Sequence, residues 1–300
     1  MTDGRLVPAF EDHRDLLFSM AYRILGSVAD AEDAVQDTWL KWSTVDRSRV
    51  TEVKAYLVRI VSNVAVDRLR SVQARRETYV GPWLPEPIRT DSDAADGVAA
   101  AESVSMALLV VLETLGPLER AVFVLREVFG FSHGEIADAV GRSEESVRQT
   151  ARRARAHVQA RRPRFHADRV RQRSVTERFL TAATGGDLNA LMQLLAPDVT
   201  LWTDGGGKVR QAMRPVTGAE RVAGWFAGIS DHSYRGVAFA DMTIEIVELN
   251  GGPGIVFNGP GGVIGIVALD LDEQGRVAAI HNVANPDKLR DVGAGTIHRL

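Results

Sequence analysis

The chain has no cysteine, which excludes disulfides and thiolate zinc sites and fits a reducing compartment. It has no succession of about 18 apolar residues of the kind that spans a bilayer. Its start, MTDGRLVPAFEDHRD, lacks the basic end and apolar stretch of an export leader. A soluble, cytoplasmic protein with no membrane partner is expected. The seven histidines include no His-x-x-x-His pair, and DLDEQG at 270–275 lacks the third acidic position of a calcium loop. No metal and no cofactor are therefore expected. A phosphate loop is missing too. In the stretch ending TDGGGKVR (203–210), Trp202 stands where the first glycine of such a loop belongs and Val209 where its hydroxyl belongs.

Charge of one sign is also lacking overall. The formal net charge is only −3, which by itself argues against a nucleic-acid binder, but the average conceals segregation. Between Arg142 and Arg173 there are eleven arginines against Glu144, Glu145 and Asp168. That stretch belongs to one of several regions the chain divides into. From 8 to 76 and from 103 to about 173 the apolar residues recur at helical spacing, the second domain being expected over 103–166. Between them, 77–102 reads ETYVGPWLPEPIRTDSDAADGVAAAE, acidic and proline-bearing, an extended linker. From 174 to 300 two helices precede runs of β character separated by turn signals at NGGPG and DEQG. The expected fold class is multidomain: two all-α domains, the second with a helix-turn-helix, and then an α+β domain.

The segment 131–162 carries the most specific signal. Ser132 and Glu135 form a capping box opening a short helix, Gly141 suits the left-handed residue that ends it, and Ser143 caps a second helix with Glu144 and Glu145 in its first turn. Two helices joined by a glycine turn make a helix-turn-helix. On the second helix Val147, Ala151, Ala154 and Val158 form the buried stripe, so Glu145, Arg148, Gln149, Arg152 and Arg153 face outward. Arginine can pair with guanine and glutamine with adenine in the major groove, while later arginines neutralise phosphates.

In the front segment, DAEDAVQDTWLKW buries Ala34, Val35, Trp39 and Trp42 and leaves Asp33, Gln36 and Asp37 for a partner; the following helix carries Arg59, Arg68 and Arg70. With NVAVDRLR and the helix-turn-helix, this resembles the second and fourth domains of an extracytoplasmic-function (ECF) sigma factor of RNA polymerase. The resemblance implies that Asp33, Gln36 and Asp37 dock on core RNA polymerase. It further implies that the loop from Asp46 to Glu52 and the helix bearing Asn63 capture the melted −10 promoter element, and that Arg148, Gln149 and Arg152 read the −35 duplex. Trp39 and Trp42 are core residues or stacking partners for melted bases.

The C-terminal part resembles SnoaL-like domains of the NTF2-like cone fold. GPWLPEP, DGGGK and NPDKL (285–289) together look like the sigma-J type, in which such a domain is fused to the sigma factor. That resemblance implies a non-enzymatic regulator of transcription initiation that needs no separate anti-sigma factor. Asp204, Lys208, Asn285, Pro286, Asp287 and Lys288 would hold an interdomain contact, whereas an ordinary hairpin turn is the plainer reading of DGGGK. A rival reading makes the cone a small-molecule sensor or a cyclase or isomerase, with Asp204 and His281 as proton carriers and Trp202, Trp225 and His281 at a pocket.

Overall fold

The structure, a computed structural model, describes residues 6–46, 50–76, 78–90, 105–161, 168–230 and 234–298. It divides into two compact units, Met1–Glu77 with Leu108–Arg162 and Thr78–Ala107 with Pro163–His298. None of the helices among the described residues is long and apolar enough to cross a membrane.

The first unit is helical. Its front half comprises α1 (Leu6–Glu11), α2 (Arg14–Leu25), α3 (Val28–Ser43) and α4 (Val53–Arg76). Ser27 opens α3 by accepting a hydrogen bond from the Asp30 amide at 3.3 Å. Leu17, Met20 and Ile24 of α2, Ala31 and Ala34 of α3, and Leu57, Val61 and Leu69 of α4 are sealed from solvent. Trp42 belongs to this core, 6.0 Å from the Tyr56 ring, so packing rather than base stacking accounts for it. Trp39 is half-buried, edge-on to Phe10 at 5.1 Å.

The rear half comprises α5 (Met106–Leu112), α6 (Pro117–Phe123) running into a π-helical turn (Val124–Val128), α7 (His133–Val140) and α8 (Glu144–Arg161). The expected caps are present: the Ser132 amide donates to Glu135 at 2.8 Å, the Glu135 amide to Ser132 Oγ at 3.2 Å, and the Ser146 amide to Ser143 Oγ at 3.3 Å. Gly141 takes φ 64°, the left-handed conformation that a side chain would disfavour. Val147, Ala151, Ala154 and Val158 are the buried stripe of α8. The two halves pack directly. Arg120, fully buried on α6, donates from Nε to the Arg23 carbonyl at 3.1 Å and pairs with Glu113. Burial presses the Arg23 guanidinium down to about 10, and its Cζ lies 5.3 Å from the Phe129 ring centre.

The second unit holds α9 (Arg169–Gly185), α10 (Leu188–Leu194), α11 (Ala219–Ser230), α12 (Arg290–Ala294) and one sheet. Its strands are β1 (Arg89–Thr90), β2 (Leu195–Asp204), β3 (Val216–Thr217), β4 (Thr243–Leu249), β5 (Gly252–Gly259), β6 (Gly262–Leu271), β7 (Val277–Val283) and β8 (Ile297–His298), in the order β3-β2-β7-β6-β5-β4-β1-β8. The turns expected at NGGPG and DEQG join β4 to β5 and β6 to β7. Contrary to a simple hairpin at DGGGK, β2 runs parallel to β7, and its antiparallel neighbour β3 begins only at Val216. The basic run is also split between units. Arg169 and Arg171, expected to continue the basic helical run, hydrogen-bond to the Gly251 and Gln274 carbonyls of the sheet turns.

Strand alternation gives the sheet two faces. On one, Leu201, Ile255, Val267, Leu269 and Ile280 pack with Phe179 of α9 and Val222 and Phe226 of α11. On the other, the register aligns Val256 with Ile266 and Ile266 with Val283, and all three are fully buried. The linker bears on that second face. Leu84 and Ile88 are fully buried, Ile88 exchanges backbone and side-chain hydrogen bonds with Asn250, and Arg89 pairs with Leu249 in the sheet. Residues 82–88, which include PWLPEP, form neither helix nor strand. The segment is thus an integral layer of the sheet unit up to Thr90; residues 91–104 lie outside the described ones.

Ser132→Ala removes the capping hydroxyl of α7 and should lower stability by about 1 kcal/mol. Urea unfolding of the full chain, followed by helical circular dichroism, should register that loss as a lower midpoint with an unchanged slope.

Candidate functional site: a nucleic-acid interface and a linker latch

The outward face of α8 carries Glu145, Arg148, Gln149, Arg152 and Arg153, all exposed. Arg148 pairs with Glu144, and Arg153 lies 4.0 Å from Glu119; Gln149 and Arg152 present their polar ends to solvent. Exposed pairs of this kind are weak and can be displaced by phosphate or base edges.

The α3–α4 surface is more constrained than its sequence pattern implies. Asp33 and Asp37, expected to be open to a partner, both accept from Arg68 at 2.8 Å, and Asp30 lies 3.8 Å from the same guanidinium. Burial opposes the charge of Arg68, but hydrogen bonds to Asp37 and Asp33 outweigh it and raise the guanidinium above its ordinary value. Arg68, expected to face DNA, is engaged here by these carboxylates. Arg70 is paired with Asp67 at 2.7 Å, whereas Gln36 and Arg59 are exposed.

Asn63 sits where α4 meets α7. Its amide donates to the Ala139 carbonyl at 2.7 Å and to the Arg59 carbonyl at 2.9 Å. A cleft of about 250 Å³ beside this contact is lined by Tyr56, Arg59, Phe131, Glu135, Ile136 and Asp138, among others. Of the loop expected to capture melted DNA, 47–49 lie outside the described residues; Thr51 and Glu52 line this same cleft.

In the sheet unit the residues of DGGGK and NPDKL converge. Asp204, with no exposed surface, accepts from Tyr79 Oη at 2.5 Å, the Leu84 amide at 2.8 Å, Lys288 Nζ at 2.7 Å and the Gly206 amide at 3.1 Å. Its own carbonyl accepts from the Ala284 and Asn285 amides. Asn285 Nδ2 donates to Tyr79 Oη at 2.8 Å, and Asn285 caps the short 3-10 turn at Pro286–Lys288. Lys288 Nζ also donates to the Leu84 carbonyl and lies 3.8 Å from the centre of the Trp83 ring. Burial and the hydrogen bond to Asp204 push the Tyr79 phenol far up, so it remains a donor. The glycines permit this close approach. A side chain on Gly206 would collide with Asn285, and a Cβ on Gly207 would lie 3.1 Å from Val80 Cβ. Lys208 closes the turn from outside through Asp287 at 2.5 Å.

The pocket residues separate. Trp225 lines an apolar cavity with Phe179, Phe226, Tyr234, Phe257 and Asn282. Trp202 and His281 do not. They are register partners on the opposite face from Leu201 and Ile280, because neighbouring strand residues point to opposite sides. His281 is buried, with Nε2 2.7 Å from Asp270. Asp204 is occupied by the linker. The acid–base set expected of a cyclase or isomerase is therefore not assembled around this cavity. Tyr79, Trp83 and Asn250 were missed as linker anchors and Tyr234 and Asn282 as cavity residues. Tyr79 just ahead of GPWLPEP and Trp83 within it offered a signal for the first two; the others gave none.

A capped basic helix behind a glycine turn, joined to an acidic α3, defines a DNA-binding transcription factor rather than an enzyme. The family description "Sigma-70 region 2" matches residues 9–76 and "Sigma-70, region 4" matches residues 105–158. The ECF RNA polymerase sigma factor SigJ of Mycobacterium tuberculosis is 39% identical over 293 residues, covering 94% of this chain and 92% of that protein. A probable ECF sigma factor SigI from the same species is 30% identical, covering 94% and 93%. The crystal structure of M. tuberculosis SigJ matches with a TM-score of 0.76 and 36% identity over 95% of this chain and 98% of that one. The chain belongs to the ECF RNA polymerase sigma factors.

Asp204→Asn leaves the buried Lys288 ammonium without its counter-charge and should cost about 3–5 kcal/mol locally. Lys208→Ala, which removes only an exposed pair, should cost under about 1 kcal/mol. Hydrogen exchange at the Leu84 and Ile88 amides reads both: protection should collapse in the first variant and persist in the second. The Lys208 pair also gives a pH signature. A hydrogen bond from Lys208 holds Asp287 below the usual carboxylate range. Its contribution is present above the unfolded carboxylate value and is lost as pH falls through the depressed one, so exchange in the 205–208 turn should quicken only below about pH 4.

Proposed function

We propose that this chain binds core RNA polymerase in the cytoplasm and directs it to promoters, with α8 reading the −35 duplex and α4 engaging the melted −10 element. The exposed face of Glu145, Arg148, Gln149, Arg152 and Arg153 on a capped helix carries this reading, because its first turns offer hydrogen-bonding groups to base edges and its later arginines offer charge to phosphates. Asp33, Gln36 and Asp37 are the polymerase-docking residues, and Arg68 positions the two carboxylates as one acidic patch.

The Asn63–Ala139 hydrogen bond favours a closed resting state. With the Asn63 amide engaged by α7, α4 and α7 must separate before Asn63 can reach DNA. Polymerase binding supplies the interactions that pull them apart. The sheet unit holds the linker through Asp204, Asn285 and Lys288, with Asp287 bracing the turn through Lys208, and that grip tunes activity without a separate anti-sigma factor.

Run-off transcription with core polymerase tests the reading. Arg148→Ala and Gln149→Ala should each reduce initiation by roughly 5- to 150-fold and relax preference at one −35 position, corresponding to about 1–3 kcal/mol per base contact. The chain alone should bind forked promoter DNA far more weakly than it does with polymerase. Equal binding in both conditions removes the closed-state part; failure to support any initiation removes the whole.

A further inference from the structure

Trp225 and Tyr234 line both the apolar cavity of the sheet unit and a groove of about 580 Å³ lined also by Val209, Arg210, Gln211 and Arg235. The groove has the volume of a small-molecule site, whereas the deeper cavity, about 30 Å³, has no room for a ring and confines a ligand to the groove.

Its polar groups are few and distinct. Gln211 lines the groove beside Tyr234, and its Oε1 is buried with no partner among the described residues. A buried acceptor left without a donor costs free energy that an arriving hydroxyl would recover. Arg210 and Arg235 are exposed at this groove. Arg235 also adopts φ 56°, a conformation that a long side chain rarely takes, and donates to the Ile264 carbonyl at 2.8 Å. That conformation belongs to the tight turn Arg235-Gly236, closed by the Tyr234 and Val237 backbone hydrogen bonds, which sets Arg235 at the rim of the groove. Trp225 supplies a flat apolar wall, and Tyr234, buried and donating to Asn282 at 3.0 Å, fixes the floor. Burial pushes the Tyr234 phenol up to about 12, so it stays neutral.

We propose that this groove binds a small aromatic carboxylic acid bearing a ring hydroxyl, its carboxylate held by Arg210 and Arg235, its ring on Trp225, and its hydroxyl donating to Gln211 Oε1. A guanidinium suits a planar carboxylate, the indole face suits a ring, and the unpartnered acceptor selects a donor over a bare ring. The site stands apart from the linker latch, and no group in it performs chemistry.

The test is calorimetric titration of the full-length chain with 4-hydroxybenzoate, benzoate and phenol. 4-Hydroxybenzoate should bind most tightly, with benzoate and phenol each weaker by roughly tenfold, the loss of one hydrogen-bonded or charged contact. Arg210→Ala and Arg235→Ala, both at exposed positions that leave the fold intact by circular dichroism, should each weaken 4-hydroxybenzoate by a similar factor. Gln211→Leu should abolish the preference for the hydroxyl while leaving benzoate affinity unchanged. No binding of any of the three at millimolar concentration, or binding indifferent to all three substitutions, overturns the proposal. Neither result bears on promoter recognition, which run-off transcription reads separately.

Discussion

A carboxylate with no exposed surface must be paired, because the interior cannot replace the water it has lost. Asp204 meets that demand with Lys288, the Tyr79 phenol, and the Leu84 and Gly206 amides. These donors come from the linker, the glycine turn and the NPDKL segment, stretches separated by more than a hundred residues of sequence at their widest. One charge therefore decides three local conformations together. The glycines of DGGGK leave the space in which Asn285 and Val80 approach, and Trp83 covers the ammonium of Lys288. With the linker held at Asp204 and again at Asn250, Leu84 and Ile88 are withdrawn from water as part of the sheet unit.

Arginine has opposite duties in the helical unit. Arg120 and Arg23 are buried and engaged by carbonyl, hydroxyl and carboxylate oxygens at the junction of its two halves, with Arg120 Nη2 alone left without a partner among the described residues. Arg152 and its neighbours on α8 remain in solvent, where their charge is available to a polyanion. Arg68 is intermediate, binding Asp33 and Asp37 so that two negative charges are presented side by side. Desolvation separates these roles. A buried guanidinium is structural because removing its partners is costly, while an exposed one exchanges partners readily.

The sheet unit places its polar groups on two faces with different consequences. The outer face receives the linker; the inner face meets helices α9 and α11 and leaves an aromatic cavity and groove. His281 and Trp202 belong to the former and Trp225 to the latter. This division weighs against proton-transfer chemistry in the cavity and is compatible with a sigma factor whose appended unit holds part of its own linker.

Much of the architecture was legible locally. The caps at Ser132 and Ser143, the left-handed Gly141 and the stripe from Val147 to Val158 depend on residues within a few turns of one another, and hydrogen-bond geometry at that range is set by the adjoining chain. The turns at NGGPG and DEQG are equally local. The motif set GPWLPEP, DGGGK and NPDKL also pointed to a joint role. Which groups would meet was decided only by tertiary structure. A strand reverses the direction of its side chains at every residue, so His281 and Asn282 part company according to a register set by distant strands. Arg68 faces Asp33 and Asp37, and Asn63 faces Ala139, only because helices pack at a particular angle and depth. Sequence determined the elements and the types of charge they carry; the folded chain decided which charges are buried against one another and which stay in water, because burial depends on everything that surrounds a group.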